Sequence, residues 1–108
     1  MITSHILDTS MGTPATGIAV NLFFLEKTDW VKIAEAKSDE DGRIKEWLTK
    51  EPVFGTYKIR FDTKDYFDKN SIETFYPYVE IVFDITTKLH YHVPLLISPF
   101  GYSTYRGS

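Results

Sequence analysis

A two-residue alternation of apolar and polar side chains, repeated in separate short runs, limits what this chain can fold into more than any other feature. From Gly55 the residues Tyr57, Ile59 and Phe61 alternate with Lys58, Arg60 and Asp62, and from Tyr78 to Ile85 the residues Val79, Ile81, Phe83 and Ile85 alternate with Tyr78, Glu80, Val82 and Asp84. Successive side chains of a strand point to opposite faces, so this period belongs to β-structure. Ile18, Val20, Leu22 and Phe24 alternate with Ala19, Asn21, Phe23 and Leu25, a strand with apolar groups on both faces. Trp30 to Ala36, across the Thr28-Asp29 break, is its expected hairpin partner.

Ser38-Asp39-Glu40-Asp41-Gly42 reads as a solvated acidic turn, because Asp side chains satisfy nearby amides and Gly supplies positive φ. A short strand, Arg43 to Trp47, follows, and then a Lys50-Glu51-Pro52 loop. After Thr86-Thr87, Leu89, Tyr91 and Val93 alternate with Lys88, His90 and His92, which predicts a hairpin with the 78–85 strand. The one expected helix runs from Thr63 to Asn70, with Thr63 as N-cap, Asp65 in the first turn and Tyr66 and Phe67 on its apolar side. Many short strands and one brief helix predict an all-β, two-sheet antiparallel β-sandwich.

A chain of 108 residues is one domain by length, expected to span 1–108. With no Cys there is neither a disulfide framework nor a thiolate nucleophile, and stability rests on burial. A net charge of -3 with Lys and Arg scattered singly lacks the footprint of a nucleic-acid binder or a polybasic membrane patch. No apolar run approaches the roughly 20 residues of a membrane-spanning helix. Met1 to Asp8 lacks the basic and apolar regions of a secretory signal, so a cytoplasmic location is expected, or a periplasmic one if a presequence was removed.

The last twenty residues concentrate polar chemistry: His90-Tyr91-His92-Val93-Pro94-Leu95-Leu96, Ser98-Pro99, then Tyr102-Ser103-Thr104-Tyr105-Arg106-Gly107-Ser108. Because Leu89, Tyr91 and Val93 take one strand face, His90 and His92 share the other, about 6 to 7 Å apart. Histidine titrates near neutral pH, which suits general acid or base work. On spacing alone His5, His90 and His92 read as solvated strand histidines, and three ligands of a hydrolytic zinc, with Asp8 and Asp84 as supporting carboxylates, is the minor reading. Arg43, Tyr105 and Ser108 would not be singled out individually.

Together and in order, however, Ser4-His5-Ile6-Leu7-Asp8-Thr9 with Gly12-Thr13-Pro14-Ala15, Asp41-Gly42-Arg43, His90 to Pro99 and the terminal Tyr105-Arg106-Gly107-Ser108 resemble the transthyretin-like family of 5-hydroxyisourate hydrolases over essentially the whole chain. The terminal Tyr-Arg-Gly-Ser separates these hydrolases from true transthyretin, the thyroid-hormone carrier. The chain departs from the family pattern in a compact Trp47–Gly55 connection and in Thr13, where a basic residue is common.

The resemblance implies a homotetramer, a dimer of dimers, with active sites in the channel between dimers. It assigns His5, Arg43, His92 and Ser108 to catalysis and His90, Tyr105 and Arg106 to binding or supporting the substrate. It further implies hydrolytic ring opening of 5-hydroxyisourate, in urate catabolism, with no metal or other cofactor. A carrier of small aromatic ligands in the same channel, a structural β-sandwich module and a metal-dependent hydrolase are the competing readings.

Overall fold

The computed structural model describes residues 1–108. Its strands are β1 (Ile2–Asp8), β2 (Thr13–Pro14), β3 (Ala19–Glu26), β4 (Asp29–Lys37), β5 (Arg43–Ile44), β6 (Gly55–Phe61), β7 (Val79–Ile85), β8 (Tyr91–Ser98) and β9 (Gly101–Thr104), with one helix, α1 (Thr63–Lys69), between β6 and β7. One sheet runs β2-β1-β8-β9 with β5 also paired to β1, and the other runs β4-β3-β6-β7. All pairings are antiparallel except β1 with β8.

The alternation predicted from sequence decides which side chains meet between the sheets. Ile2 and Ile6 of β1, Val20 and Leu22 of β3, Tyr57, Ile59 and Phe61 of β6, and Val93, Leu95 and Ile97 of β8 form the buried core. Their polar neighbours face outward, and so β1 and β8 present Thr3, His5 and His92 on the outer face of their sheet. The β1–β8 pairing places Thr3 opposite His92, and the β1–β5 pairing places His5 opposite Arg43.

Several expectations are corrected. The 78–85 and 88–93 runs do not form a hairpin: β7 and β8 lie in different sheets. Residues 86–90 cross between them, and the crossing is held by the Tyr91 hydroxyl, which accepts hydrogen bonds from the Thr86 and Thr87 amides at 3.0 and 3.1 Å. Leu89 therefore lies outside the strand and is 65% exposed instead of sharing the inner face with Tyr91 and Val93. The strand runs through Pro94 to Ser98, with Pro94 in register with His5 of β1 and outside the β8–β9 ladder, which starts at Leu95. The strand expected over Arg43 to Trp47 stops at Ile44.

The helix is where it was expected, but Asp62 is its N-cap and no side chain caps it. Thr63 instead is buried in the first helical turn. The helix buries Phe67 in the core and brings the Tyr66 hydroxyl to Asp8. Burial pushes the Asp8 carboxyl up, but hydrogen bonds from the Ser10 and Tyr66 hydroxyls and from the Met11 and Ser10 amides outweigh it and hold the pKa below 3.8. Burial together with Asp8 raises the Tyr66 phenol to about 12.

Tyr66→Phe removes the 2.7 Å bond from its hydroxyl to Asp8. The expected loss is roughly 1.5 to 3 kcal/mol of unfolding free energy at neutral pH, the range for a hydrogen bond to a charged group. Because the Asp8 pKa is depressed by folding, its stabilisation is present above the ordinary value of 3.8 and disappears as pH falls through the lower folded value. Urea unfolding at pH 7 and pH 3 should therefore show the variant and parent converging at the acid end.

Candidate active site

The outward residues of β1 and β8 gather beside β5 and the chain's last residues. Arg43 enters from the 38–42 turn, whose geometry is more specific than a solvated acidic loop. Asp39 accepts the Asp41 and Arg43 amides, each at 2.9 Å, and the Arg43 amide is the main reason its carboxyl is held below the usual range. Gly42 adopts φ +74°, and a β-carbon there would collide with the Ile6 carbonyl, so the turn packs against β1 only with glycine at this position. The Ile6 amide in turn donates to the Gly42 carbonyl at 2.7 Å. The Arg43 main chain is thereby fixed opposite His5.

Thr3, Ser4, Arg43, Lys45, His90, His92 and Ser108 line a recess of about 260 Å³, and none of them is hydrophobic. The Thr3 hydroxyl lies 2.7 Å from His90 Nε2 and 2.8 Å from His92 Nδ1. The two imidazole rings are 6.5 Å apart, within the spacing expected of i and i+2 residues, although His90 itself precedes the strand. His92 is half-buried. Burial first, then the charges of Arg43, His90 and His5, push its pKa below 6.5, so that its ring is neutral at neutral pH. A neutral imidazole with one free nitrogen can accept a proton.

The chain end is tied to this histidine. Gly107 forms an isolated antiparallel bridge with His92, its amide donating to the His92 carbonyl at 2.8 Å. A β-carbon on Gly107 would stand 2.5 Å from His92 Cδ2. Glycine is therefore required for the tail to lie against the ring, and this contact brings Ser108 into the recess.

His5 stands on the same β1 face as Thr3, with its Nε2 donating to the Asp41 carbonyl at 2.8 Å, which leaves Nδ1 free. It is close enough to influence His92 but does not line the recess. Tyr105 and Arg106 line a different cavity, together with Ile81, Phe83, Asp84, Tyr91, Val93 and Thr104, and the Arg106 guanidinium carbon lies 4.4 Å above the Tyr91 ring. No three His, Asp or Glu side chains are spaced to hold a metal ion. The two carboxylates considered as supports for a zinc site are engaged elsewhere, Asp8 with Tyr66 and Asp84 with the Thr56 hydroxyl at 2.6 Å. Thr3 and Lys45, which sequence reading missed, are part of the recess. Thr3 could have been found from the period-2 relation that places it on the face of His5.

The HIUase/Transthyretin family profile matches residues 2–107. The chain belongs to the HIUase/Transthyretin family. Among similar family proteins, the 5-hydroxyisourate hydrolase of Mus musculus is 45% identical, over 99% of this chain and 94% of the mouse protein. Among solved structures, the 5-hydroxyisourate hydrolase of Klebsiella pneumoniae superposes with a TM-score of 0.89 at 34% identity, covering 99% of this chain and 98% of that one. Sea bream transthyretin in complex with thyroxine superposes with a TM-score of 0.94 at 33% identity, covering 98% and 93%. The HIUase/Transthyretin fold thus accommodates an enzyme and a hormone-binding protein, and only the side chains on it can separate the two.

Proposed function

We propose that this chain is a 5-hydroxyisourate hydrolase acting in urate catabolism, opening the substrate ring to 2-oxo-4-hydroxy-4-carboxy-5-ureidoimidazoline. The observation that carries this reading is the recess itself, which is lined by two imidazoles, a guanidinium, an ammonium and three hydroxyl residues without an apolar side chain. A carrier of aromatic hormones gains its affinity from apolar lining, and this recess offers none. The substrate is a compact anion dense in hydrogen-bonding groups, which such a lining suits.

In the proposed reaction His92 Nε2 removes a proton from water as the water oxygen attacks the ring carbonyl. Arg43 binds the anion and stabilises charge developing on the carbonyl oxygen. The C–N bond then breaks, and the His92 imidazolium returns its proton to the departing ring nitrogen. His5 supports the charge balance around His92, and Ser108 hydrogen-bonds the substrate or positions the water. His90, Tyr105 and Arg106 support the site, Arg106 through its stacking on Tyr91. The route requires no metal ion or other cofactor.

The assembly we propose is a homotetramer, a dimer of dimers, in which a facing copy closes the recess into a channel. The outer edges of β7 and β9 are unpaired within the chain, and unpaired edges invite strand addition. An aromatic group lies beside the β9 edge: Phe75 packs edge-on against Tyr76 and Tyr76 against Tyr102, with Phe75 69% exposed. Such exposed aromatic surface fits a subunit interface.

Incubation of the purified protein, treated with chelator, with 5-hydroxyisourate formed in situ from urate is expected to speed the decay of the substrate above its spontaneous rate. Tight binding of iodinated phenols without turnover would favour the carrier instead. Gly107→Ala should lower kcat/KM on the order of 100-fold, the cost of an ångström-scale misplacement, because the added methyl and the His92 ring cannot occupy the same space. Its thermal unfolding should match the parent's, since Gly107 lies outside the core.

A further inference from the structure

The bond count around Thr3 carries an inference that deepens the hydrolase reading. A threonine hydroxyl has one hydrogen and two lone pairs, and here it meets two ring nitrogens, His90 Nε2 at 2.7 Å and His92 Nδ1 at 2.8 Å. If it donates its one hydrogen to one ring, it must accept an N–H from the other. Two arrangements satisfy both contacts and also use the hydroxyl hydrogen; a third, in which both rings donate to the oxygen, leaves that hydrogen without a partner in the chain. In the first, His92 Nδ1–H donates to Thr3 and Thr3 donates to His90 Nε2, which leaves His92 Nε2 a bare lone pair. In the second, His90 Nε2–H donates to Thr3 and Thr3 donates to His92 Nδ1, which puts the hydrogen of His92 on Nε2.

We propose that Thr3 is a positioning residue that selects the first arrangement, with His90 as the terminal acceptor, and so makes Nε2 the basic nitrogen of His92. Two arguments favour that direction. Arg43 lines the same recess as His92, and with Nδ1 taken up by Thr3 it is Nε2 that is left to face the cation, which attracts a lone pair and repels an N–H. The reaction also requires an imidazolium on His92, whose Nδ1–H has to donate. In the first arrangement that bond already exists, so proton uptake at Nε2 reorients nothing. In the second, Thr3 and both rings would have to exchange hydrogens first. A preorganised acceptor is the arrangement that lowers a barrier.

His90 is well placed for this role. It is exposed, just ahead of β8, and can exchange its own hydrogens with solvent. The titratable and charged groups around the pair are His5, Arg43 and Lys45, none of which hydrogen-bonds Thr3. The Thr3 side chain makes no other hydrogen bond, so its hydroxyl has no separate structural duty.

The test compares Thr3→Val, which keeps the shape and removes the hydroxyl, with Thr3→Ser, which keeps the hydroxyl, and His90→Leu, which removes the terminal acceptor from an exposed position. The ¹⁵N shifts of the His92 ring, read in substrate-free protein above its pKa, should show hydrogen on Nδ1 in the parent and in Thr3→Ser. Thr3→Val and His90→Leu should both move population to the Nε2–H tautomer, the latter because the Thr3 hydroxyl is then free to donate to His92 Nδ1. In the decay assay Thr3→Val should lower kcat by about 10- to 100-fold, the cost of losing the group that orients a functional imidazole, with KM within about twofold and activity rescued in Thr3→Ser. A parent His92 carrying its hydrogen on Nε2, or a Thr3→Val protein with parental tautomer and kcat, would overturn the proposal. Absence of turnover in the parent would instead count against the hydrolase reading and leave the tautomer result standing by itself.

Discussion

His92→Asn is expected to lower kcat/KM for 5-hydroxyisourate by about 100- to 10,000-fold, the range for loss of a general base. Asparagine keeps a polar group near the Thr3 hydroxyl, so the β1–β8 contact survives while proton acceptance does not. The fold should be unaffected, because His92 lies on the outer face of β8 and its main chain stays in the ladder with β1 and in the bridge to Gly107. The loss should appear in kcat more than in KM, since the imidazole acts when water attacks and contributes less to holding the ring. The pH profile adds a second signature. The rate requires neutral His92, whose pKa lies below 6.5, so parental kcat/KM should climb with pH to a plateau, with the midpoint of the rise below 6.5. In the variant this acid limb should vanish.

Replacing Arg43 separates two roles of one cation. Arg43→Met should lower kcat/KM by about 100- to 1,000-fold, as does loss of a donor to a developing oxyanion. It should also move the acid limb to higher pH. Arg43 disfavours the charged form of His92, and without it protonation becomes easier, the His92 pKa rises, and a higher pH is needed to reach the same neutral fraction. Arg43→Lys keeps the charge and loses the planar fork, so its rate should fall while its limb remains close to the parent's. A limb that stays in place in Arg43→Met would mean that burial and the neighbouring histidines set the His92 pKa without Arg43. The Asp39 bond to the Arg43 amide should survive in both variants, because it involves the main chain.

Much of this architecture was legible in the alternation of side chains. The faces of β6 and β7 came directly from the period: Tyr57, Ile59 and Phe61 are buried, and Val79 and Ile85 are buried while Glu80, Val82 and Asp84 are exposed. Connectivity was less legible, because strand pairing is a nonlocal property. Residues 86–90 look like a hairpin turn by composition, and nothing local reveals that the Tyr91 hydroxyl binds the Thr86 and Thr87 amides and sends the chain to the other sheet.

The site divides the same way. Of the residues singled out by the ordered motifs, Arg43, His92 and Ser108 line one recess and His5 stands outside it, and the register brings His5 opposite Arg43 and Thr3 opposite His92. The role of Thr3 was not legible, because a threonine on a strand face is ordinary until both of its imidazole partners are located. Arg106 was expected near the substrate, and within one chain it stacks on Tyr91 in a neighbouring cavity. The glycine of the terminal motif acquires a reason only from its 2.5 Å approach to the His92 ring.

The most direct test of the account is the decay of 5-hydroxyisourate, generated from urate by urate oxidase, followed in parallel with buffer, the intact protein and folded His92→Asn protein. Fast decay with the intact protein and near-spontaneous decay with the variant is the predicted result. An intact protein that leaves the decay at the buffer rate, or a folded His92→Asn protein as fast as its parent, would contradict it.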